Sequence, residues 1–561
     1  MKIYKLILIV VLALVTLPQC TDDFTEINQN PSAISGDDIS ARYFITKSQV
    51  RLMAPNRYPY WRAHLIHADR YAGHFCFGHS SSWWSDELGY SYSGGYTNAA
   101  WDYLEGYTGT IVTYLQVTGE GGDRENPLAH ATALVLKSLF YEYFSDTFGE
   151  IPYSETGRLD ILLPKFDTHQ AIYEGIIGDL DAAMQAIGDA TSTGEADEDL
   201  GANDLFYGGD LQKWKRLANT IKLRVALKAL DAPGADFAQT AISEAISSPL
   251  LSTADENALV PKDNEISMWN SAAYGDVWYS FGAGSDWTVS QEVINHLQDN
   301  SDPRLSKYAQ PAVGGEIVIP WPDSDDETMY MKRKNFILST LDAAGAVYTE
   351  TTNENGESVV TMDADTYYVG QPVRLRGEMH NYARYDLFSK PTQYIIQGKG
   401  DGEPIAPEIV MTAAESHFLQ AEAIVRGVGS GDANAHYQMG LRQAMLLWDV
   451  DPAEIDDFIA NSPMATLDGT NDLEKIAVQR WLAYYTEGYH AWAVVRDLGY
   501  PASLADGVDD SDIFGFGDIS GKYPQRMRYG TNAYTRNLDN LEVAIGRQGP
   551  DVQDTKLWWA E

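Results

Sequence analysis

Two stretches of the chain set large flat rings among serines, glycines and acids. HSSSWWSDELGYSYSGGY, residues 79–96, carries Trp83, Trp84 and Tyr90, with Asp86 beside them. MWNSAAYGDVWYSFGAGSDW, residues 268–287, carries Trp269, Tyr274, Trp278 and Trp287, with Asp286 before the last. Adjacent side chains point about 100° apart on a helix and to opposite faces on a strand, so Trp83 and Trp84 cannot easily enter one core together. Indole and phenol rings have an apolar face and a polar edge. A pyranose offers the matching surface, a face of C–H groups rimmed by hydroxyls, so a ring beneath it and a carboxylate at its edge satisfy both. Trp83, Trp84, Tyr90, Trp278 and Trp287 are therefore the expected stacking surfaces, and Asp86 and Asp286 the expected acceptors of hydroxyl hydrogen bonds. The competing reading is that Trp83, Trp84 and Tyr90 pack beneath loops, as large aromatics often do.

Other chemistries lack their residues. There is no HExxH, GxSxG, phosphate loop or CxxC. His64 and His67, in HLIH, fall at i, i+3 with no third ligand nearby, and read as core or surface histidines. The acidic runs DSDDE (323–327) and DGVDDSD (506–512) lack the Gly and terminal Glu of a calcium-binding loop. They read as solvated turns, with calcium as the alternative, and no cofactor is expected. With 80 Asp and Glu in the chain, choosing two as a hydrolytic pair would be arbitrary.

The elements that must position these rings are mainly helical. The 561 residues are 44% hydrophobic, ample for a large core, and no linker divides them. From about residue 40, apolar stripes recur at helical spacing: Leu136, Leu139, Phe140, Tyr143 and Phe144; Tyr173, Ile176, Ile177, Leu180 and Met184; Trp214, Leu217, Ala218, Ile221 and Val225. Asp167 and Gln170 suggest a capping box before the second stripe. Thr412 and Glu415 form another, starting a helix that runs to about Arg426. The stripe from Tyr437 to Trp448 gives that helix an antiparallel partner across a short loop. Leu473, Ile476, Ala477, Trp481 and Tyr484 belong to a further helix, which Gly488 should end. Such pairs predict a tetratricopeptide-like superhelical scaffold, although no strict 34-residue repeat is present. Residues 250–405 are rich in Gly, Pro, Asn and Asp, with short β-like runs such as GEIVIPW, and read as a loop-rich insertion with a few strands.

The N-terminus reads as a processing signal. Lys2 and Lys5 precede an apolar run from Leu6 to Leu17, too short to span a bilayer, and Cys20 follows. Residues 1–19 are thus a lipoprotein signal peptide, Cys20 the lipidated residue, and 20–40 a polar, acidic tether ahead of a single domain over 41–561. With Cys20 lipidated, Cys76 has no disulfide partner and is most simply a small buried hydrophobe.

Several segments together resemble one family: FSDTFGEIPYSET (144–156), YGGDLQKWKRLANTIKLRVAL (207–227), TAAESHFLQAEAIVRG (412–427), QRWLAYYTEGYHAW (479–492), DTKLWW (554–559) and the opening CTDDFTEINQNP (20–31). The chain is similar to the SusD/RagB family, surface glycan-binding lipoproteins of Bacteroidetes. The resemblance implies a tetratricopeptide-like frame, a loop-borne glycan site, and a SusC-like TonB-dependent outer-membrane transporter as partner. It also implies an extracellular, lipid-anchored place on the outer membrane and no catalysis. A surface glycoside hydrolase and a peptide-uptake component are the alternatives. The apolar stripe of WKRLANTIKLR should pack while its Arg and Lys stay on the flanks.

Charge then narrows the ligand. Lys and Arg number 40, giving a net charge of −40, which disfavours nucleic acid and anionic polysaccharides. Neither 71–110 nor 263–303 contains a Lys or Arg, the nearest being Arg70, Lys262 and Arg304. Only folding could bring Lys332, Arg333 and Lys334 beside the rings. Rings without cations fit a neutral polysaccharide, a β-glucan of the laminarin type first and a xylan or mannan next.

Overall fold

On the long helices the predicted stripes face inward. The structure, a computed structural model, describes residues 40–53, 60–78, 88–195, 198–262, 287–322, 325–383, 385–396 and 405–560. The first half contributes α1 (Arg42–Met53), a π-helix (Trp61–Ala68), α2 (Thr97–Thr118), α3 (Pro127–Phe148), α4 (His169–Ile187), α5 (Leu211–Ala229) and α6 (Phe237–Ile246). Successive helices α2 to α6 pack as neighbours. Asn126 caps α3, its side chain accepting from the Leu128 and Ala129 amides, and Pro127 at the first turn needs no donor. The cap of α4 lies one residue later than expected: Thr168, not Asp167, accepts from the Ala171 amide. Asp167 faces the other way and accepts from the Tyr153 and Ser154 amides.

The described part of the middle carries the few short strands expected of it, with α-helices between them. It contains β2 (Ala258–Val260), β3 (Trp287–Val289), α7 (Gln291–Asp299), β4 (Gly315–Ile319), α8 (Glu327–Ala343), β5 (Tyr348–Thr352) and β6 (Ser358–Met362), with β1 (Phe75–Phe77) far upstream. Strands β4, β6 and β5 form an antiparallel sheet in that order, and Ile317, Ile319, Val360 and Met362 share a small separate core with Tyr330, Ile337 and Leu341 of α8. This is a lobe with its own packing.

The second half returns to helix pairs. After β7 (Glu408–Met411) come α9 (Ala413–Val425), α10 (Ala433–Leu447), α11 (Asp472–Ala483) and α12 (Gly488–Leu498). Thr412 caps α9 through the Glu415 amide, as the sequence predicts. Gly488 begins α12 instead of ending α11: an added Cβ there would lie 2.4 Å from the Ala68 carbonyl carbon, so the backbones meet too closely for any side chain.

Lys215 and Arg216 of α5 stay partly exposed as expected, but the cations of its second half do not lie on the flanks. Arg224 and Lys228 are buried because α3 presents Glu142 and Asp146 to them. The Arg224 guanidinium donates to both Glu142 oxygens at 2.9 and 2.5 Å, and the Lys228 ammonium to Glu142 at 3.0 Å and to Asp146. Burial opposes ionisation, yet these cations hold the Glu142 carboxyl well below the usual carboxylate range. Across the next layer Arg480 of α11 bridges Glu415 and Glu422 of α9. Among the described residues no helix is long and apolar enough to cross a membrane.

Candidate functional site

The short strand β1 leads out of the helical frame and pairs antiparallel with β3, setting Phe75 opposite Val289, Cys76 opposite Thr288 and Phe77 opposite Trp287. Cα atoms so paired lie about 4.5–5.5 Å apart. The chain after Phe77 and the chain before Trp287 therefore leave from adjacent points. These are the roots of the two aromatic-rich stretches, 79–87 and 263–286. Trp83, Trp84, Asp86, Trp278 and Asp286, with Trp269 and Tyr274, lie outside the described residues.

Gln371 fastens the two roots. Its amide nitrogen donates to the Phe77 carbonyl at 3.0 Å, its amide oxygen accepts from Thr288 Oγ1 at 2.7 Å, and its backbone N–H donates to the Val289 carbonyl at 3.0 Å. The other end of 263–286 is fixed by a buried ion pair. Lys262 Nζ lies 2.9 Å from Glu408 Oε2, both side chains 2% exposed, and Tyr60 OH donates to the same carboxylate. Burial lowers the Lys262 amine and raises the Glu408 carboxyl, and each partner offsets part of the other's shift. Glu408 belongs to β7, whose pairing with β2 sets Val260 opposite it. Sequence reasoning missed Gln371, Glu408 and Tyr60, because no local pattern links residues that lie hundreds of positions apart.

Two expected stacking residues are structural. Trp287 is fully buried, its ring 5.4 Å from Phe77 in an edge-on contact, since the β1–β3 ladder turns it inward. Tyr90 is buried as well: its hydroxyl donates to the Arg70 carbonyl at 2.9 Å, its ring meets Tyr71 edge-on, and the Arg374 guanidinium lies 4.5 Å from its centroid. Burial pushes its phenol up to about 12. Neither ring offers a face to a ligand. The cavity beside Tyr90, lined by Arg70, Cys76, Phe77, Tyr90, Gln371 and Arg374 among others, measures about 10 Å³, room for a single water and not for a sugar. Cys76 is buried and its thiol is raised well above the ordinary value by burial, so it is no nucleophile.

Among the described residues, the cations that the sequence sets nearest the rings, and those of α8, have partners within the chain. Arg70 donates to the Leu88 and Gly89 carbonyls, and Arg304 is held by Asp302 and Gln479. Lys332 pairs with Asp510 and Asp512, Arg333 with Asp325 and Glu378, and Lys334 with Glu350. The acidic runs read as solvated turns thus serve as partners for α8. His64 and His67 are buried in the π-helix, where burial lowers them to about 3 and about 4, so both are neutral core groups. Among the described residues no cluster of His, Cys, Asp and Glu could hold a metal ion. One carboxyl stands out: Glu292, in the first turn of α7, has an oxygen with no hydrogen-bond partner among the described residues, and burial raises it to about 7.

Residues 36–318 and 330–529 match the profile of a family described as starch-binding and associating with the outer membrane. No curated protein matches the chain in sequence. Among solved structures, a chitin-binding protein is 22% identical with a TM-score of 0.69, covering 92% of this chain and 99% of its own. A SusD-like protein from Bacteroides thetaiotaomicron is 20% identical with a TM-score of 0.67, over 92% of this chain and 98% of its own. A SusD homologue from Bacteroides uniformis is 20% identical with a TM-score of 0.69, over 93% and 99%. At such identities the likeness shows the fold.

Proposed function

The chain belongs to the SusD-like family of starch-binding, outer-membrane-associated proteins, and from that premise we propose that it captures a neutral polysaccharide at the cell surface without cleaving it and passes it to a TonB-dependent transporter. The observation that carries the reading is the β1–β3 pairing, which roots the segments bearing Trp83, Trp84 and Trp278 side by side. Those three rings are the proposed stacking surfaces, with Asp86 and Asp286 as hydroxyl acceptors; Tyr90 and Trp287 support the base from within. Stacking and hydroxyl hydrogen bonds need no counter-charge. The internal pairing of Lys262, Lys332, Arg333 and Lys334 supports a neutral ligand over a uronic or sulfated one. Laminarin-type β-glucan is the first choice, xylan or mannan the next. Such a shallow, wet site would bind at micromolar strength, on the order of 7–8 kcal/mol.

Native electrophoresis in gels containing laminarin, xylan, mannan or alginate tests the reading. Retardation by a neutral glycan with no new reducing ends supports it. Release of reducing ends would replace it with a glycoside hydrolase, and retardation only by alginate would refute the neutral ligand. Cys20 serves, on the same reading, as the lipid anchor. Cys20→Ala should move the protein out of the outer-membrane fraction in cells lacking the transporter; full retention there would contradict the anchor.

A further inference from the structure

Trp321 is the one tryptophan among the described residues that is exposed by more than a third, at 44%. An indole left in water and free to turn would need no comment, but this one is fixed from three sides. Pro320 and Pro322 flank it, restricting the backbone before and after the ring. One face stacks on Tyr330, with centroids 4.4 Å apart and planes within 10°. Its Nε1 donates to the Asp325 carbonyl at 3.2 Å. Tyr330 is itself buried and pinned, its hydroxyl donating to the Ile319 carbonyl and accepting from the Ser358 amide, so the ring stands on the β4–β6 sheet. Below, the Asp325 carboxylate receives the Tyr382 hydroxyl and both oxygens contact the Arg333 guanidinium, whose other nitrogen donates to the half-exposed Glu378.

We propose that Trp321, stacked on Tyr330, is a second carbohydrate-binding platform, on the small lobe, for a neutral pyranose of the same polysaccharide chain. The proposal rests on the glycan-capture reading. A ring whose orientation is set before binding loses little freedom when a sugar settles on it. Arg333 is spent on Asp325 and Glu378, and Arg376 also lies 3.7 Å from Glu378, so these cations are paired within the lobe, while the half-exposed Glu378 can accept hydroxyl hydrogen bonds. Two platforms on one molecule raise affinity for a polymer long enough to reach both and leave a short oligosaccharide at the first site unaffected.

The test uses the full mature protein and its Trp321→Ala and Trp321→Phe variants, in native gels containing laminarin, xylan or mannan. Trp321→Ala should weaken retardation by the polymer that retards the wild type roughly three- to tenfold, and Trp321→Phe should recover most of it. Calorimetry with a trisaccharide of the same glycan should give the wild-type affinity in both variants. If Trp321→Ala does not fold, mass spectrometry of N-bromosuccinimide-treated wild type gives the same answer: polymer should protect Trp321 from oxidation. Unchanged retardation or absent protection, in a protein that does bind the polymer, overturns the second platform and leaves glycan capture standing. A wild type retarded by none of the three polymers refutes both. A variant that keeps its glycan but loses co-purification with an outer-membrane protein would make Trp321 a protein contact and overturn the proposal.

Discussion

A tryptophan that holds the fold and one that holds a sugar fail in different ways when removed. Trp287 fills the base of the β1–β3 ladder, so Trp287→Ala should cost about 3–5 kcal/mol of stability by urea unfolding. Trp278→Ala should leave the unfolding midpoint in place and lower glycan affinity at least roughly tenfold by calorimetry. The reverse pattern would mean that the stacking surface has been assigned to the wrong ring. Glu292 gives a second prediction at this scale. Its folded pKa of about 7 lies above the ordinary glutamate value near 4.3, so folding favours its protonated form. Below about pH 4 the carboxyl is protonated in both states and costs nothing. As pH rises toward 7 and beyond, the unfolded chain ionises first, and stability falls by up to roughly 3–4 kcal/mol. Glu292→Gln should therefore be more stable than wild type at pH 8 and equal to it at pH 4; a difference independent of pH would contradict this.

At the scale of elements, the helices were legible where burial follows one stripe. Leu136, Leu139, Phe140, Tyr143 and Phe144 are all buried on α3, and Tyr437, Leu441, Ala444 and Met445 on α10. Helix α8 was not legible, because its inward face mixes Tyr330, Ile337 and Leu341 with Arg333 and Thr340, and the burial of an arginine depends on Asp325 and Glu378 from outside its own helix. The same holds for α5, read with its cations on the flanks. Arg224 is buried only because Glu142 waits on α3, and a carboxylate 82 positions away leaves no mark on the local pattern. Arg224→Met should leave the buried Glu142 carboxylate with Lys228 as its one remaining close cation and cost about 3–5 kcal/mol, while adding Glu142→Gln should restore part of it, both by urea unfolding. If the double variant is no better than the single one, the network owes its stability to something other than this pair. Of the site, the sequence showed the rings and their lack of cations. It did not show that Tyr90 and Trp287 turn inward, which depends on Arg374 and on the strand register.

For the whole molecule, the net charge of −40 and the internal pairing of the nearby cations bear on one claim, that rings and hydroxyls, not ions, hold the ligand. The Debye length falls from about 10 Å at 0.1 M salt to about 3 Å at 1 M, so an ionic site weakens across that range and a stacking site does not. The direct measurement is calorimetric titration of the mature protein with laminarin, xylan, mannan and alginate at both salt concentrations. The expected result is micromolar binding to one of the neutral glycans with an affinity that changes less than about twofold with salt. Tight binding to alginate that collapses at high salt, with no heat from any neutral chain, would contradict the account.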